Sequence, residues 1–258
     1  MIELRNVSKK FGSVSALDSL SFLVGEGSFF GLVGPNGAGK TTTINILTGV
    51  VRSDSGQVKM SGNNFETRSI ELKKEIGVMP EGMALFDGLT GEEHLTFVSR
   101  VYGIAKEEAK RRVEELLALF ELNGAGAQLI HTYSQGMKKK LSFAAAIIHK
   151  PKILFLDEPF ESVDPIQRKI MREILRTMQQ NGATIVLTSH TLETVEALCD
   201  EVAIMNKGRI VFQSRTEDIR KKIKDEVSQE TYQSLEEIFI DVVSQDGTQK
   251  EKRKLSWL

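Results

Sequence analysis

The chain has a single cysteine, Cys199, so no internal disulfide can form and nothing marks an oxidising compartment. Its four histidines are scattered without ligand spacing, and this excludes a zinc cluster. Charge of one sign is lacking as well. Lys plus Arg number 34 against 35 for Asp plus Glu, a formal net charge of −1. That balance excludes a surface built throughout to grip nucleic acid. No run of eighteen apolar residues exists, and the most apolar stretches, 20–24 and 143–148, are too short to span a bilayer. Met1-Ile2-Glu3-Leu4-Arg5-Asn6 lacks the basic-then-apolar layout of a secretory signal. These absences predict a soluble, cytoplasmic chain without repeats or low-complexity linkers.

What is present is ordinary for a globular protein: 258 residues, 40% hydrophobic and 27% charged. A chain of this length buries about 73% of its unfolded surface on surface scaling, which needs no staples.

Short β-type runs alternate with helical patterns. Residues 2–7, 20–24, 29–33, 76–79, 152–156, 184–188, 202–205 and 209–212 read as strands. A Gly-rich turn leads into a helix over 40–48. Asp164-Pro165 reads as an N-cap with Pro at the first helical position, opening a helix to about Gln180. The alternation predicts an α/β fold with a mostly parallel sheet. Residues 87–150 read as helix only. Thr90 and Glu93 form a capping box, and 107–122 carries Val113, Leu116, Leu117 and Phe120 at 0, +3, +4 and +7. A third helix is expected over 136–148. The expected division is an α/β core over 1–86 and 151–212, a helical insert over 87–150, and a C-terminal extension over 213–258. In that extension Leu235, Ile238, Phe239 and Val242 repeat the amphipathic spacing, a stripe expected to dock on the chain's own core or on a twin subunit. The basic end from Lys250 is expected to fray.

Gly34-Pro35-Asn36-Gly37-Ala38-Gly39-Lys40-Thr41 matches a phosphate-binding loop, and it lies where that loop must lie, between a strand and a helix. Its glycines let consecutive amides curl around a β-phosphate, and the following helix turns its positive end there. Lys40 is suited to the β- and γ-phosphates and the Thr41 hydroxyl to Mg²⁺, with Thr42 beside them. Downstream, Ile153-Leu154-Phe155-Leu156-Asp157-Glu158 is an apolar strand ending in two carboxylates. Asp157 is expected to hold Mg²⁺ through water and Glu158 to act as general base.

Between these, Tyr133-Ser134-Gln135-Gly136-Met137 lies with its Ser 23 residues before Asp157 (157 − 134). Here the chain resembles the ATP-binding cassette, or ABC, ATPase family, whose signature usually reads Leu-Ser-Gly-Gly-Gln. The Ser and the second Gly are kept; Tyr133, Gln135 and Met137 depart. The resemblance, over about 1–212, implies the ABC ATPase fold, with an N-terminal antiparallel β part and an all-helical insert beside the phosphate-loop core. It also implies that Ser134 and Gly136 bind the γ-phosphate held by a second subunit. Phe11, 29 residues before Lys40 (40 − 11), is similar in position to the aromatic that stacks on adenine. His190 resembles the switch histidine that contacts the γ-phosphate, and Ser162-Val163-Asp164 takes the place of the loop that crosses the dimer interface. Glu81 stands where the family usually has a Gln that senses Mg²⁺. Glu can ligate Mg²⁺ but adds negative charge beside the phosphates, and it is read as tolerated variation.

The resemblance thus implies ATP hydrolysis by a head-to-tail pair, most simply a homodimer, bound to a separate membrane-spanning permease at the cytoplasmic side of the cell membrane. ATP and Mg²⁺ are the implied ligands, and no nucleic-acid partner is. Ser-Gln-Gly-Met and the 234–239 segment resemble exporters of the second ABC class. The alternatives are a soluble ABC ATPase of an assembly complex and a nucleotide-binding regulator without turnover. A repair-type coiled-coil insertion has no room in the 117 residues between Lys40 and Asp157 (157 − 40), and the Asp157-Glu158 pair argues against a regulator. Lys138-Lys139-Lys140 reads as a solvated helix start, with attraction of phosphates as the alternative, and Lys221-Lys222-Ile223-Lys224 as an exposed face. His94, His131 and His149 read as structural, and Cys199 as a small buried apolar residue.

Overall fold

The computed structural model describes residues 1–219 and 234–245. Its central strand, β3 (Phe29–Val33), reads Phe-Phe-Gly-Leu-Val and is buried at every position. Such a run has no polar alternation because a parallel strand is covered on both faces. Phe29 and Val33 enter a core beneath a helical layer, whereas Phe30 and Leu32 enter a second core on the opposite face. At Gly31 a Cβ would stand 2.4 Å from Val195 Cγ1, so a glycine is needed where the helix α7 (Leu192–Leu198) crosses the strand.

Around β3 lie β6 (Ile76–Met79), β7 (Ile153–Asp157), β8 (Thr184–Ser189), β9 (Glu201–Asn206) and β10 (Arg209–Arg215), in the order β10-β9-β3-β8-β7-β6. All neighbours are parallel except β10 against β9. A second, antiparallel sheet has the order β2-β1-β4-β5, from β1 (Ile2–Phe11), β2 (Val14–Val24), β4 (Ser55–Met60) and β5 (Asn63–Asn64). Helix α1 (Lys40–Leu47) buries Ile44, Ile46 and Leu47 in the core shared by the two sheets. The expected α/β class, mostly parallel sheet, antiparallel N-terminal part and helical insert are all present.

The insert consists of α3 (Gly91–Val101), α4 (Lys106–Leu119) and α5 (Gln135–Ile147). Thr90 Oγ1 accepts from the Glu93 amide at 3.1 Å and Glu93 Oε2 accepts from the Thr90 amide at 2.8 Å, the expected capping box. Val113, Leu117 and Phe120 are buried, with Leu116 partly so, and the Phe120 ring meets Phe143 of α5 edge-on at 5.8 Å. Asp164 caps α6 (Pro165–Gln180) through the Ile166 and Gln167 amides at 3.1 and 3.0 Å.

Differences lie where the pattern is faint. β1 and β2 extend beyond their expected runs, to Phe11 and back to Val14, and the added stretch buries Leu17. β4, β5 and α2 (Phe65–Lys73) were not expected, nor was α7, which follows β8 over seven residues. The last described helix, α8 (Leu235–Gln245), buries Leu235 and Ile238 and half-buries Phe239 and Val242 against the chain's own core. Its first amide, at Leu235, donates to Glu196 Oε1 of α7 at 3.1 Å. The Lys221–Lys224 face and the basic end from Lys250 lie outside the described residues. Among the described residues no helix is long and apolar enough to cross a membrane.

Candidate active site

Parallel order sends the carboxyl ends of β3, β6, β7 and β8 to one edge of the sheet, where open α/β folds place their ligands. The loop from Gly34 to Gly39 leaves β3 there. A Cβ at Gly34 would lie 2.3 Å from the Met205 carbonyl, so the loop starts pressed against the end of β9. Gly39 caps α1 at φ 108°, and a Cβ there would also meet the Ala16 carbonyl at 2.7 Å. Glycine at this position is demanded by both conformation and space. The first turn of α1 thereby turns its free amides and positive end outward. Lys40 is nearly buried, and its ammonium donates to the carbonyls of Gly34 at 2.8 Å and Pro35 at 3.3 Å. Ala38 is buried beneath the loop.

Asn36, Gly37, Gly39, Lys40, Thr41 and Thr42 line a cleft of about 430 Å³, with Glu81 beyond β6 and Asp157 and Glu158 at the end of β7. Asp157 is buried and accepts from the Thr188 hydroxyl of β8. The Glu158 amide donates to the Thr188 carbonyl at 3.3 Å, and Glu158 Oε2 stands 3.0 Å from Nδ1 of His190. Burial pushes the Glu158 carboxyl above its ordinary value, opposed by the His190 hydrogen bond and charge and by Lys40, while Asp157 adds to the rise. The cleft therefore combines a cation and amides able to hold phosphates with a carboxylate of raised basicity.

Gly34, Pro35, Ala38 and His190 adjoin this lining through the loop and the Glu158 carboxylate, whereas Phe11, Ser134 and Gly136 are not part of it. Phe11 is half exposed, with Lys9 Nζ 5.4 Å from its ring centroid, but it pairs with Val14, which lines the cleft. Ser134 caps α5 by accepting from the Met137 amide at 3.2 Å, and a Cβ on Gly136 would meet the Ser162 carbonyl at 2.9 Å.

The solvated reading of Lys138-Lys139-Lys140 is overturned. Lys138 pairs with Asp87 at 3.2 Å, and Lys139, 4% exposed, donates to the Glu158 carbonyl at 3.0 Å. Lys139 shares one helical face with the buried Phe143 and Ala146, a spacing that marks an inward residue despite the charge run. His94 is buried beside Phe86, His131 Nδ1 lies 3.3 Å from the Asp87 carbonyl, and His149 stacks on Tyr102 at 3.5 Å; Cys199 is buried, which pushes its thiol well up.

The model of the ABC transporter family matches residues 17–161, more than half of the chain. The chain belongs to the ABC transporter family. Among relatives of this ABC protein is the linearmycin resistance ATP-binding protein LnrL of Bacillus subtilis (strain 168). It is 35% identical over 241 residues, covering 93% of this chain and 78% of the relative. The Nod factor export ATP-binding protein I of Burkholderia orbicola (strain AU 1054) is 36% identical over 208 residues, covering 81% and 68%. A solved ATP-binding subunit of an ABC transporter superposes with a TM-score of 0.84 at 29% identity, covering 94% of this chain and 99% of its own. A dimeric cassette bound to ADP and phosphate shares the fold, with a TM-score of 0.77 at 22% identity and coverage of 84% and 99%. This ABC chain is an ATP-binding subunit and an ATP hydrolase.

Proposed function

We propose that two copies of this chain pair head to tail around two ATP molecules and drive a separate membrane-spanning partner that exports its cargo. The observation that carries this reading is the division of the expected residues. Lys40, Thr41, Asp157, Glu158 and His190 gather at one cleft, whereas Ser134 and Gly136 lie outside it at the start of α5. Such halves complete each other across a two-fold axis, where each patch meets its counterpart on the twin. The export reading is supported by relatives named for antibiotic resistance and for Nod factor export. The permease would hold the chain at the cytoplasmic face.

In this reading the loop amides and Lys40 grip the β- and γ-phosphates, Asn36 to Thr42 cradle them, and Phe11 at the rim stacks on adenine. Glu158 takes a proton from water as its oxygen attacks the γ-phosphorus; the bond to the β-phosphate oxygen breaks, releasing ADP and phosphate. His190 fixes the Glu158 carboxylate and reaches the γ-phosphate from its exposed side. The Thr41 hydroxyl and the Asp157 and Glu81 carboxylates are hard oxygen donors lining the same cleft, a set that fits Mg²⁺ keeping waters and phosphate oxygens. Bound there, Mg²⁺ would neutralise charge on the phosphates. Residues 1–86 with 151–212 form the nucleotide-binding core in this proposal, and 87–150 carry the signature.

The test is Glu158→Gln. It should keep ATP binding and lose turnover, so that an ATP-bound dimer accumulates in size-exclusion chromatography with ATP and Mg²⁺. A strictly monomeric profile, even with the permease present, would count against the paired arrangement. Co-purification with a multi-spanning protein from membranes tests the partner.

A further inference from the structure

The segment after β7 folds in a costly way. Glu158 has φ 49° and Ser162 φ 60°, both in the left-handed region that non-glycine residues avoid. Such backbone persists only where its surroundings fix it. Hydrogen bonds of the turn itself are long: the Glu161 amide reaches the Glu158 carbonyl at 3.4 Å and the Val163 amide the Phe160 carbonyl at 3.4 Å. At its far end the turn is tied to α6, where Arg168 Nε donates to the Val163 carbonyl at 2.6 Å; at the Glu158 carbonyl the shorter contact comes from α5, where the Lys139 ammonium donates at 3.0 Å. That bond is charge-assisted and partly buried, which makes it stronger than a neutral bond of the same length. One helical turn earlier on the same face of α5, Gly136 presses against the Ser162 carbonyl, with 2.9 Å left for a Cβ. Helix α5 therefore bonds the turn at one of its left-handed residues and packs closely on the other.

We propose that Lys139 is a positioning residue for ATP hydrolysis, fixing the backbone of Glu158 so that its carboxylate keeps its place beside His190. The inference rests on the proposed role of Glu158 as general base. A lysine is suited to this task because its long stem crosses the gap between helix and turn while its ammonium supplies the donor. It also ties the base of one site to the helix whose cap, Ser134, is assigned to the other site. Any shift of α5 is then felt at Glu158.

Two substitutions in the full-length chain separate this role from plain stability. Lys139→Met keeps the stem and removes the donors, and Lys139→Gln keeps an N–H donor without the charge. A misaimed base loses rate rather than substrate. Lys139→Met should therefore lower kcat about 10- to 100-fold with KM nearly unchanged, and Lys139→Gln should recover a substantial part of the loss. The deciding measurement is the slow residual rate of single-turnover hydrolysis, followed with enzyme in excess over ATP on long time courses, in the Glu158→Gln background. A residue that acts through Glu158 costs nothing further there, because the two changes are not additive. If Lys139→Met fails to fold, Lys139→Gln is compared across the same two backgrounds. An equal fold-loss in both backgrounds, or unchanged kcat with Glu158 intact, overturns the positioning role. Normal turnover of Glu158→Gln by itself marks instead a failure of the base assignment.

Discussion

Lys40 has its ammonium already seated on the carbonyls of Gly34 and Pro35, at the mouth of the loop. Lys40→Ala should abolish hydrolysis and weaken nucleotide binding, as read by ATPase assay and by titration with a fluorescent ATP analogue. Normal turnover would remove Lys40 from the site. Glu158 makes a second prediction at this scale. A base works only when unprotonated, and burial raises its pKa, so activity should fall on acidification from a pH above the ordinary carboxylate range. The His190 hydrogen bond lowers that pKa, so His190→Ala should move the acid limb of kcat to higher pH while reducing the rate. A limb that stays put would separate His190 from the base. The sign for stability is opposite to the usual carboxylate. With its folded pKa above the unfolded value, Glu158 binds more protons folded than unfolded between the two, and its contribution is lost as pH rises through the folded pKa. Glu158→Gln should therefore melt no lower than the parent at neutral pH.

Among the elements, those that were legible have strong local punctuation. Asp164-Pro165 marked α6 because the carboxylate can reach the Ile166 and Gln167 amides and proline costs nothing at that position. Thr90 with Glu93 marked α3, and the stripe of Val113, Leu117 and Phe120 marked α4. β4 went unread because Ser55–Met60 buries only Val58 and Met60, and its partner, β1, is far away in sequence. Lys139 reads wrongly as solvated because a run of three lysines suggests solvent, whereas the contact that draws it inward comes from a turn nineteen residues on. The stripe of α8 was legible, and its docking can be measured. Leu235 is 1% exposed, so Leu235→Ala should cost about 2–5 kcal/mol in urea unfolding. Ile240 on the same helix is 55% exposed, and Ile240→Ala should change stability by less than about 0.5 kcal/mol. Equal effects at the two positions would mean that α8 does not dock through this face.

For the molecule as a whole, sequence could name the parts of the cleft without showing that they meet. Gly34–Thr41, Glu81, Asp157-Glu158 and His190 are far apart along the chain, and the order β3-β8-β7-β6 alone sets their strand ends side by side. The same topology leaves Ser134 and Gly136 at the start of α5, away from that cleft. If each catalytic unit takes its loop from one copy and its signature from the other, then defects in the two parts should complement. Lys40→Ala chains and Ser134→Ala chains are each expected to be inactive alone. In a dimer of one with the other, one site carries both defects and its counterpart carries neither. Random pairing makes half the dimers mixed with one sound site in each, so activity should return to about a quarter of the parent level. Size-exclusion chromatography of differently tagged chains shows whether mixed dimers form, and the ATPase assay reads the recovery. Mixed dimers without recovery would place Ser134 in one site with the Lys40 of its own chain, or require both sites to fire together.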